Sequence, residues 1–99
     1  MTDKLLTLLG FAAKAGRLSY GTHATEWAIT AKKANLVCVA SDISEKSKKE
    51  IRFKANKQGI PVTELQGTDS ATLSQRIGKR CGIVAVNDKG FAESILKKI

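Results

Sequence analysis

Ninety-nine residues carry 17 Lys and Arg against 9 Asp and Glu, a formal net charge of +8 that calls for an anionic partner. The length fits one domain able to bury about two-thirds of its unfolded surface, and 42% apolar residues exclude wholesale disorder. Two cysteines and one proline exclude a disulfide scaffold or a Pro-rich linker, and no apolar run reaches the roughly 18–20 residues that span a bilayer.

The first element is a helix over about Lys4–Ala15, capped by Thr2 or Asp3 and ended by Gly16. Its apolar stretch and the small residues of Ala13-Lys14-Ala15 imitate a secretion signal, but Asp3 offsets Lys4. Leu5, Leu8, Leu9 and Ala12 recur at helical spacing, which favours a packed helix. A cytoplasmic protein with reduced Cys38 and Cys81 is therefore expected.

Arg17–Tyr20 reads as a short strand, Gly21-Thr22-His23 as a break, and about Ala24–Lys33 as a second helix. The unbroken apolar run within Asn35–Ser41 predicts a strand covered on both faces. Asp42-Ile43-Ser44 opens a third helix that Gly59 stops, and Pro61–Leu65 is a strand suited to a sheet edge. Thr68, Asp69 or Ser70 caps a fourth helix carrying Leu73 and Ile77. Gly82–Val86 is the last buried strand, and Asn87 or Asp88 caps a final helix with Phe91 and Ile95. Strands alternating with helices predict an α/β fold, a three-layer α/β/α sandwich around a small, mostly four-stranded mixed sheet, in a single domain over residues 1–99.

Charge is uneven along this map. Residues 1–40 sum to +3, 41–57 to +3 and 76–99 to +4, while no cation lies between Lys57 and Arg76. Segment 58–75 is expected to face away from a polyanion. Lys46, Lys48, Lys49, Lys54 and Lys57 fit a solvated helix face, since exposed helices are commonly Lys-rich.

Catalytic constellations are not evident. There is no Walker-type loop and no Gly-x-Gly-x-x-Gly after a strand, His23 is the only histidine, and Cys38 and Cys81 lack Cys-x-x-Cys spacing and read as core thiols. Carboxylates form no evident acid/base pair. No enzyme activity, metal or cofactor is expected.

What does stand out is Gly21-Thr22-His23-Ala24-Thr25-Glu26 between a strand and a helix. A helix start offers unpaired N–H groups and about half a positive charge, Gly21 permits close backbone approach, and Thr22 or His23 can cap the helix or meet a nucleotide. Lys14 and Arg17 lie just upstream.

Gly21-x-His23-Ala24-x-x-Trp27, followed by Ala34-Asn35-Leu36-Val37-Cys38-Val39-Ala40-x-Asp42, resembles the RNA-binding ribosomal-protein family of the archaeal L-seven-Ae group. The likeness continues through Gly59-Ile60-Pro61-Val62, Leu73-x-x-x-Ile77-Gly78 and Ala85-Val86-Asn87-Asp88-x-Gly90-Phe91-Ala92, and with Leu8-Leu9-Gly10-Phe11-Ala12 it is nearest the bacterial YlxQ-type branch. It covers nearly the whole chain. The resemblance implies an α/β/α sandwich that binds kink-turn or related structured RNA, with an Asn, a Glu and a Lys at the start of the second helix meeting sheared G·A pairs. It also implies that a loop before the last strand packs on an extruded nucleotide. Gly21 matches that pattern. His23 replaces the Asn, Ala24 the Glu and Trp27 the Lys, and Lys79-Arg80-Cys81-Gly82 is short and basic where kink-turn binders are longer and apolar. Base-reading groups are lost while phosphate-attracting ones stay.

Trp27 admits two placements. Ala24, Trp27, Ala28 and Ala31 form one stripe with the indole in the core, whereas Thr25, Ala28 and Ile29 form another that leaves it outside, able to stack on an unpaired base. His23 is either a bland cap-region residue or an RNA contact.

The expected site joins Lys14, Arg17, Gly21, Thr22, His23, Trp27, Lys46, Lys79 and Arg80. The leading reading is a non-enzymatic, monomeric RNA-binding protein of the translation apparatus. Its partners would be structured RNA, ribosomal RNA or a kink-turn, with ribosomal proteins as further contacts and no membrane. The alternatives are a ribonucleoprotein-docking adaptor with a degenerated RNA site and, more remotely, a small enzyme acting on a nucleotide.

Overall fold

The two most apolar runs of the chain make the centre of the sheet. In a computed structural model describing residues 2–98, β2 (Leu36–Ala40) and β4 (Ile83–Val86) are buried at every residue, as strands covered on both faces must be. Around them the chain runs α1 (Thr2–Lys14), β1 (Leu18–Tyr20), α2 (Thr22–Thr30), β2, α3 (Glu45–Lys57), β3 (Val62–Leu65), α4 (Ser70–Ile77), β4 and α5 (Lys89–Leu96). The sheet order is β1-β4-β2-β3, with β4 antiparallel to both neighbours and β2 parallel to β3. The strand that follows Pro61 lies at an edge, where its missing donor is tolerated.

Period-two alternation splits the sheet side chains between two cores. Leu36, Cys38, Ala40, Val84 and Val86 pack with Leu5, Leu6 and Leu9 of α1, Leu73 and Ile77 of α4, and Ile95 of α5. Val37, Val39, Ile83 and Ala85 pack with Ala28 and Ile29 of α2 and Ile51 and Ala55 of α3. Helices α1, α4 and α5 thus cover one face and α2 and α3 the other, giving the three-layer α/β/α sandwich that the sequence predicts.

Local details correct several expectations. On α1, Leu6 is fully buried where Leu8 is only partly so. Asp3 lies inside the first turn, and a cap from the Thr2 side chain lies outside the described residues. Ser44, Asp69 and Asp88 cap α3, α4 and α5 by accepting from the amides of Ser47, Thr72 and Phe91. Helix α2 ends at Thr30, short of Lys33, and Lys32 beyond it holds φ 59°. Cys38 is fully buried, which pushes its thiol up to about 12, but Cys81 is only half-buried at the core margin. No described helix is long and apolar enough to cross a membrane.

Lys48 is the main departure from the solvated face expected for α3. It is 4% exposed, donates to Ser41 O at 3.0 Å and lies 3.3 Å from Glu64 and 3.4 Å from Glu45. Its ammonium fastens α3 to the end of β2 and to edge strand β3. Glu64 keeps Arg52 as a partner and Glu45 is exposed, so losing the ammonium mainly takes a donor from Ser41 O and a buried stem from the α3 contact. Lys48→Ala should therefore lower stability by about 1–3 kcal/mol in urea denaturation, the usual cost of a buried group left without its hydrogen-bond partner. Lys49→Ala, one residue along and exposed, should change it by less than about 0.5 kcal/mol.

Candidate functional site

Strand polarity decides what meets what. β1, β2 and β3 all finish at the end of the sheet where β4 begins. The starts of α2, α3 and α4 and the loop 78–82 therefore crowd that one end. Two hydrogen bonds lock them together: Gly21 donates to Ile83 O and Ala40 to Gly82 O, both at 2.8 Å.

Gly21 begins α2 with φ 88° and ψ 170°, a backbone region essentially confined to glycine. Neither Thr22 nor His23 caps the helix; no side chain does. The first amide satisfied from within is that of Thr25, 3.0 Å from Gly21 O. Helices α3, α4 and α5 quench their first turns with Ser or Asp oxygens, whereas α2 has neither a side-chain cap nor an acidic first turn. Thr22 and His23 are exposed there. Its partial positive charge and upstream amides face outward, the arrangement that accepts an anion.

The loop opposite is fixed at its root and basic at its tip. Cys81 donates its amide to Ser74 Oγ at 2.9 Å, and that hydroxyl donates to Cys81 O at 3.0 Å. A Cβ on Gly82 would come within 2.4 Å of Ile43 Cδ1 and 2.7 Å of Ser70 Oγ, so a side chain there would displace both. Lys79 and Arg80 stay exposed, and Lys79 Nζ stands 5.2 Å from the centre of the Tyr20 ring. Burial, with a smaller effect of Cys81, raises the Tyr20 hydroxyl above its ordinary range, so it is a neutral donor at physiological pH. Tyr20 was not expected in the site; its position directly before Gly21 was the available signal.

Lys46 is exposed on the first turn of α3 at the same end. Asp42, in the turn before α3, accepts from the Ser70 hydroxyl at 2.7 Å and amide at 2.9 Å. Those bonds hold its carboxyl below the usual range, and the carboxylate shares a cleft with Arg80, Ser70, Ala71 and Ser74. Segment 58–75 is therefore not wholly remote: its last residues border the loop, bringing Asp42 and Asp69 with them.

The structure separates two expected members from this group. Arg17 lies at the far end of β1, its Nε 3.8 Å from Asp88 Oδ2, because the strand runs away from it toward the site. Lys14 sits on the last turn of α1 in a groove with Phe11, Arg76 and Gly78, on the other helical layer from α2. Trp27 is 59% exposed, and Thr25, Ala28 and Ile29 form the buried stripe, so the placement with the indole in the core is overturned. Lys33 Nζ stands 4.8 Å over the Trp27 ring. Among the described residues, no group of three His, Cys, Asp or Glu side chains could hold a metal ion.

Residues 3–96 match the Ribosomal protein L7Ae/L30e/S12e/Gadd45 family. The chain is 37% identical over 91 residues to a protein of Enterococcus faecium named RNA-binding protein YlxQ, covering 92% of this chain and 86% of that one. It is 31% identical over 90 residues to the RNA-binding protein YlxQ of Bacillus subtilis (strain 168), covering 90% and 88%. Its fold superposes with a TM-score of 0.88 and 30% identity on a protein of unknown function from Bacillus halodurans C, over 95% of this chain and 94% of that one. A Giardia lamblia 15.5kD RNA binding protein superposes with a TM-score of 0.78 over 96% and 83%, where 16% identity makes the likeness one of fold alone.

Gly21 carries the geometry of the α2 start. Gly21→Ala should cost about 1–3 kcal/mol, the usual penalty for a side chain in such a backbone region. Thermal unfolding followed by circular dichroism measures it, and an unchanged midpoint would show that α2 can begin without this conformation.

Proposed function

The chain belongs to the ribosomal protein L7Ae/L30e/S12e/Gadd45 family as a YlxQ-type member, and we propose that it binds structured RNA without catalysis, in the cytoplasm and within the translation apparatus. One observation carries this reading: the uncapped, Gly21-led start of α2 stands beside the Lys79–Arg80 loop across one end of the sheet. Exposed amides, a helix dipole and two cations converge there, which suits phosphate oxygens.

Recognition rests mainly on phosphate and shape. His23, Ala24 and Trp27 stand where the family pattern has Asn, Glu and Lys, so little remains at the helix start to read base edges. Gly21, Thr22, His23, Lys46, Lys79 and Arg80 are the contact residues of this reading, Trp27 adjoins them, and Lys14 and Arg17 fall outside it. Ribosomal RNA and kink-turns are the candidate targets, bound by a monomer, with ribosomal proteins as secondary neighbours.

With Lys46, Lys79 and Arg80 meeting phosphates, log–log salt titration on a structured RNA should give a slope of about −2 to −3 by counterion release. A flat titration would remove the electrostatic basis of the proposal. Replacing Lys79 and Arg80 together by Ala should weaken binding alike for RNAs of different sequence and make the slope shallower by about 2. Sequence-dependent losses would mean instead that the loop reads bases.

A further inference from the structure

Both helices of the α2–α3 layer present an outward face that the sheet-end site does not use. On α2, Thr25, Ala28 and Ile29 are buried; at 100° per residue, His23, Trp27 and Thr30 point the opposite way. On α3, Lys48, Ile51 and Ala55 are buried, and Lys46, Lys49, Phe53 and Lys57 recur along the opposite side. The helices cover the same sheet face, both start at the same sheet end, and an ion pair between Glu26 and Lys54 closes the seam between them. The two outward faces are therefore neighbours, about 8–10 Å apart between axes.

That surface holds an unusual pairing. Trp27 and Phe53 are 59% and 62% exposed, and each ring lies 4.8 Å from an ammonium, that of Lys33 and that of Lys57. Among the described residues, no carboxylate pairs with Lys33, Lys46, Lys49 or Lys57, and Glu50 is the one acid on that side of α3. The two rings stand on different helices and each carries a lysine ammonium over its face, which interrupts the continuous apolar centre that a folded protein partner needs. A chain that alternates phosphates with flat π-faces satisfies both features at once.

We infer that the outer faces of α2 and α3 form a strip for single-stranded RNA, on which Trp27 and Phe53 stack unpaired bases while Lys33, Lys46, Lys49 and Lys57 meet the phosphates. The ammonium over each ring moves to the adjoining phosphate as a base takes its place. From Lys46 to Lys57 the strip runs about 17 Å along α3 at 1.5 Å per residue, room for several nucleotides. Its upper end, at His23 and Lys46, is continuous with the sheet-end site, so an RNA folded there can lay a single-stranded flank along the helices. This deepens the RNA reading above and rests on it for the identity of the polyanion.

Trp27 is the only tryptophan of the chain, so its emission reports the α2 side of this strip, and Phe53 separates the strip from the adjoining sheet-end site. Titration with a 12-nucleotide oligouridylate at low salt should quench that emission. Phe53→Ala and Phe53→Leu should each weaken the oligouridylate by about fivefold or more, because Leu keeps apolar bulk but offers no stacking face. A hairpin RNA without single-stranded flanks should bind both Phe53 variants as it binds the parent, and should lose affinity when Lys79 and Arg80 become Ala. Absence of quenching, or Phe53 variants that bind oligouridylate like the parent, overturns the strip. If the hairpin fails to bind while oligouridylate still quenches Trp27 and still responds to Phe53, the sheet-end reading falls and the strip stands.

Discussion

The antiparallel placement of β4 between β1 and β2 is the constraint from which the rest of the molecule follows. Had β4 run the other way, its leading loop would enter beside Arg17 and Asn35, and the basic tip would face the wrong end of the sheet. Because it runs against both neighbours, Lys79 and Arg80 arrive where α2 starts. Gly82 then makes the approach close: without a Cβ it nests against Ile43 and Ser70 while its carbonyl accepts from Ala40. Ile83, the next residue, accepts from Gly21 and so sets where α2 begins. One strand's register thus positions an anion-accepting helix start and a cationic loop with backbone hydrogen bonds, and no flexible side chain is needed to hold them together.

Positive charge is divided between architecture and surface. Lys48 and Arg52 hold α3 to Glu64 of β3, Lys54 holds it to α2 through Glu26, Arg76 ties α4 to Asp3, and Arg17 pairs with Asp88. Apart from that of the buried Lys48, these are exposed or part-exposed pairs that contribute little each to stability. What they do change is the field: a cation already facing a carboxylate has less to offer a polyanion. Of the cations outside these pairs, Lys46, Lys79 and Arg80 gather at the sheet end and Lys32, Lys33, Lys49 and Lys57 on the α2–α3 side, while Lys4, Lys14, Lys89, Lys97 and Lys98 lie on or beside α1 and α5. Asp42 marks the limit of the positive region, its carboxylate kept ionised by Ser70 inside the cleft that Arg80 borders. A phosphate passing there is steered toward the loop tip and the α2 start.

Much of the architecture was legible because β2 and β4 are uninterrupted apolar runs and the caps Ser44, Asp69 and Asp88 each precede a helical pattern. Helix α2 was ambiguous for a physical reason. It is short, and Ala24, Ala28 and Ala31 carry so little apolar area that either stripe could be the buried one. The choice reduced to Ile29 against Trp27, and Ile29 is the residue that packs beneath the helix against the sheet. Lys48 was unreadable because its partner Glu64 is brought close only by the parallel pairing of β2 and β3. Arg17 misled for the same kind of reason: it is near Gly21 in the chain, yet β1 carries the chain from one end of the sheet to the other between them. The apolar strand runs and the caps of α3, α4 and α5 survived, whereas the exact stripe of α1 and the start and end of α2 needed the packed structure, and the partners of Lys48 and Arg17 needed strand polarity.

The substitutions at the start of α2 fit this electrostatic layout. In the pattern that the chain resembles, an amide, a carboxylate and an ammonium at the helix start form directional hydrogen bonds to base edges, and such groups discriminate because an unmatched partner is left unpaired. His23, Ala24 and Trp27 keep the position but change the chemistry. Ala24 removes a negative charge from beside the phosphate-accepting amides. Trp27, pointing outward one turn further on, offers a flat face that any base can cover. On the proposed reading, discrimination among RNAs would come from where phosphates and unpaired bases fall relative to two features, the sheet-end loop and the aromatic face of α2. On that reading, a molecule built this way would follow the path of an RNA backbone more than the identity of its bases, with the Gly82 and Gly21 contacts setting where the loop and the helix start lie.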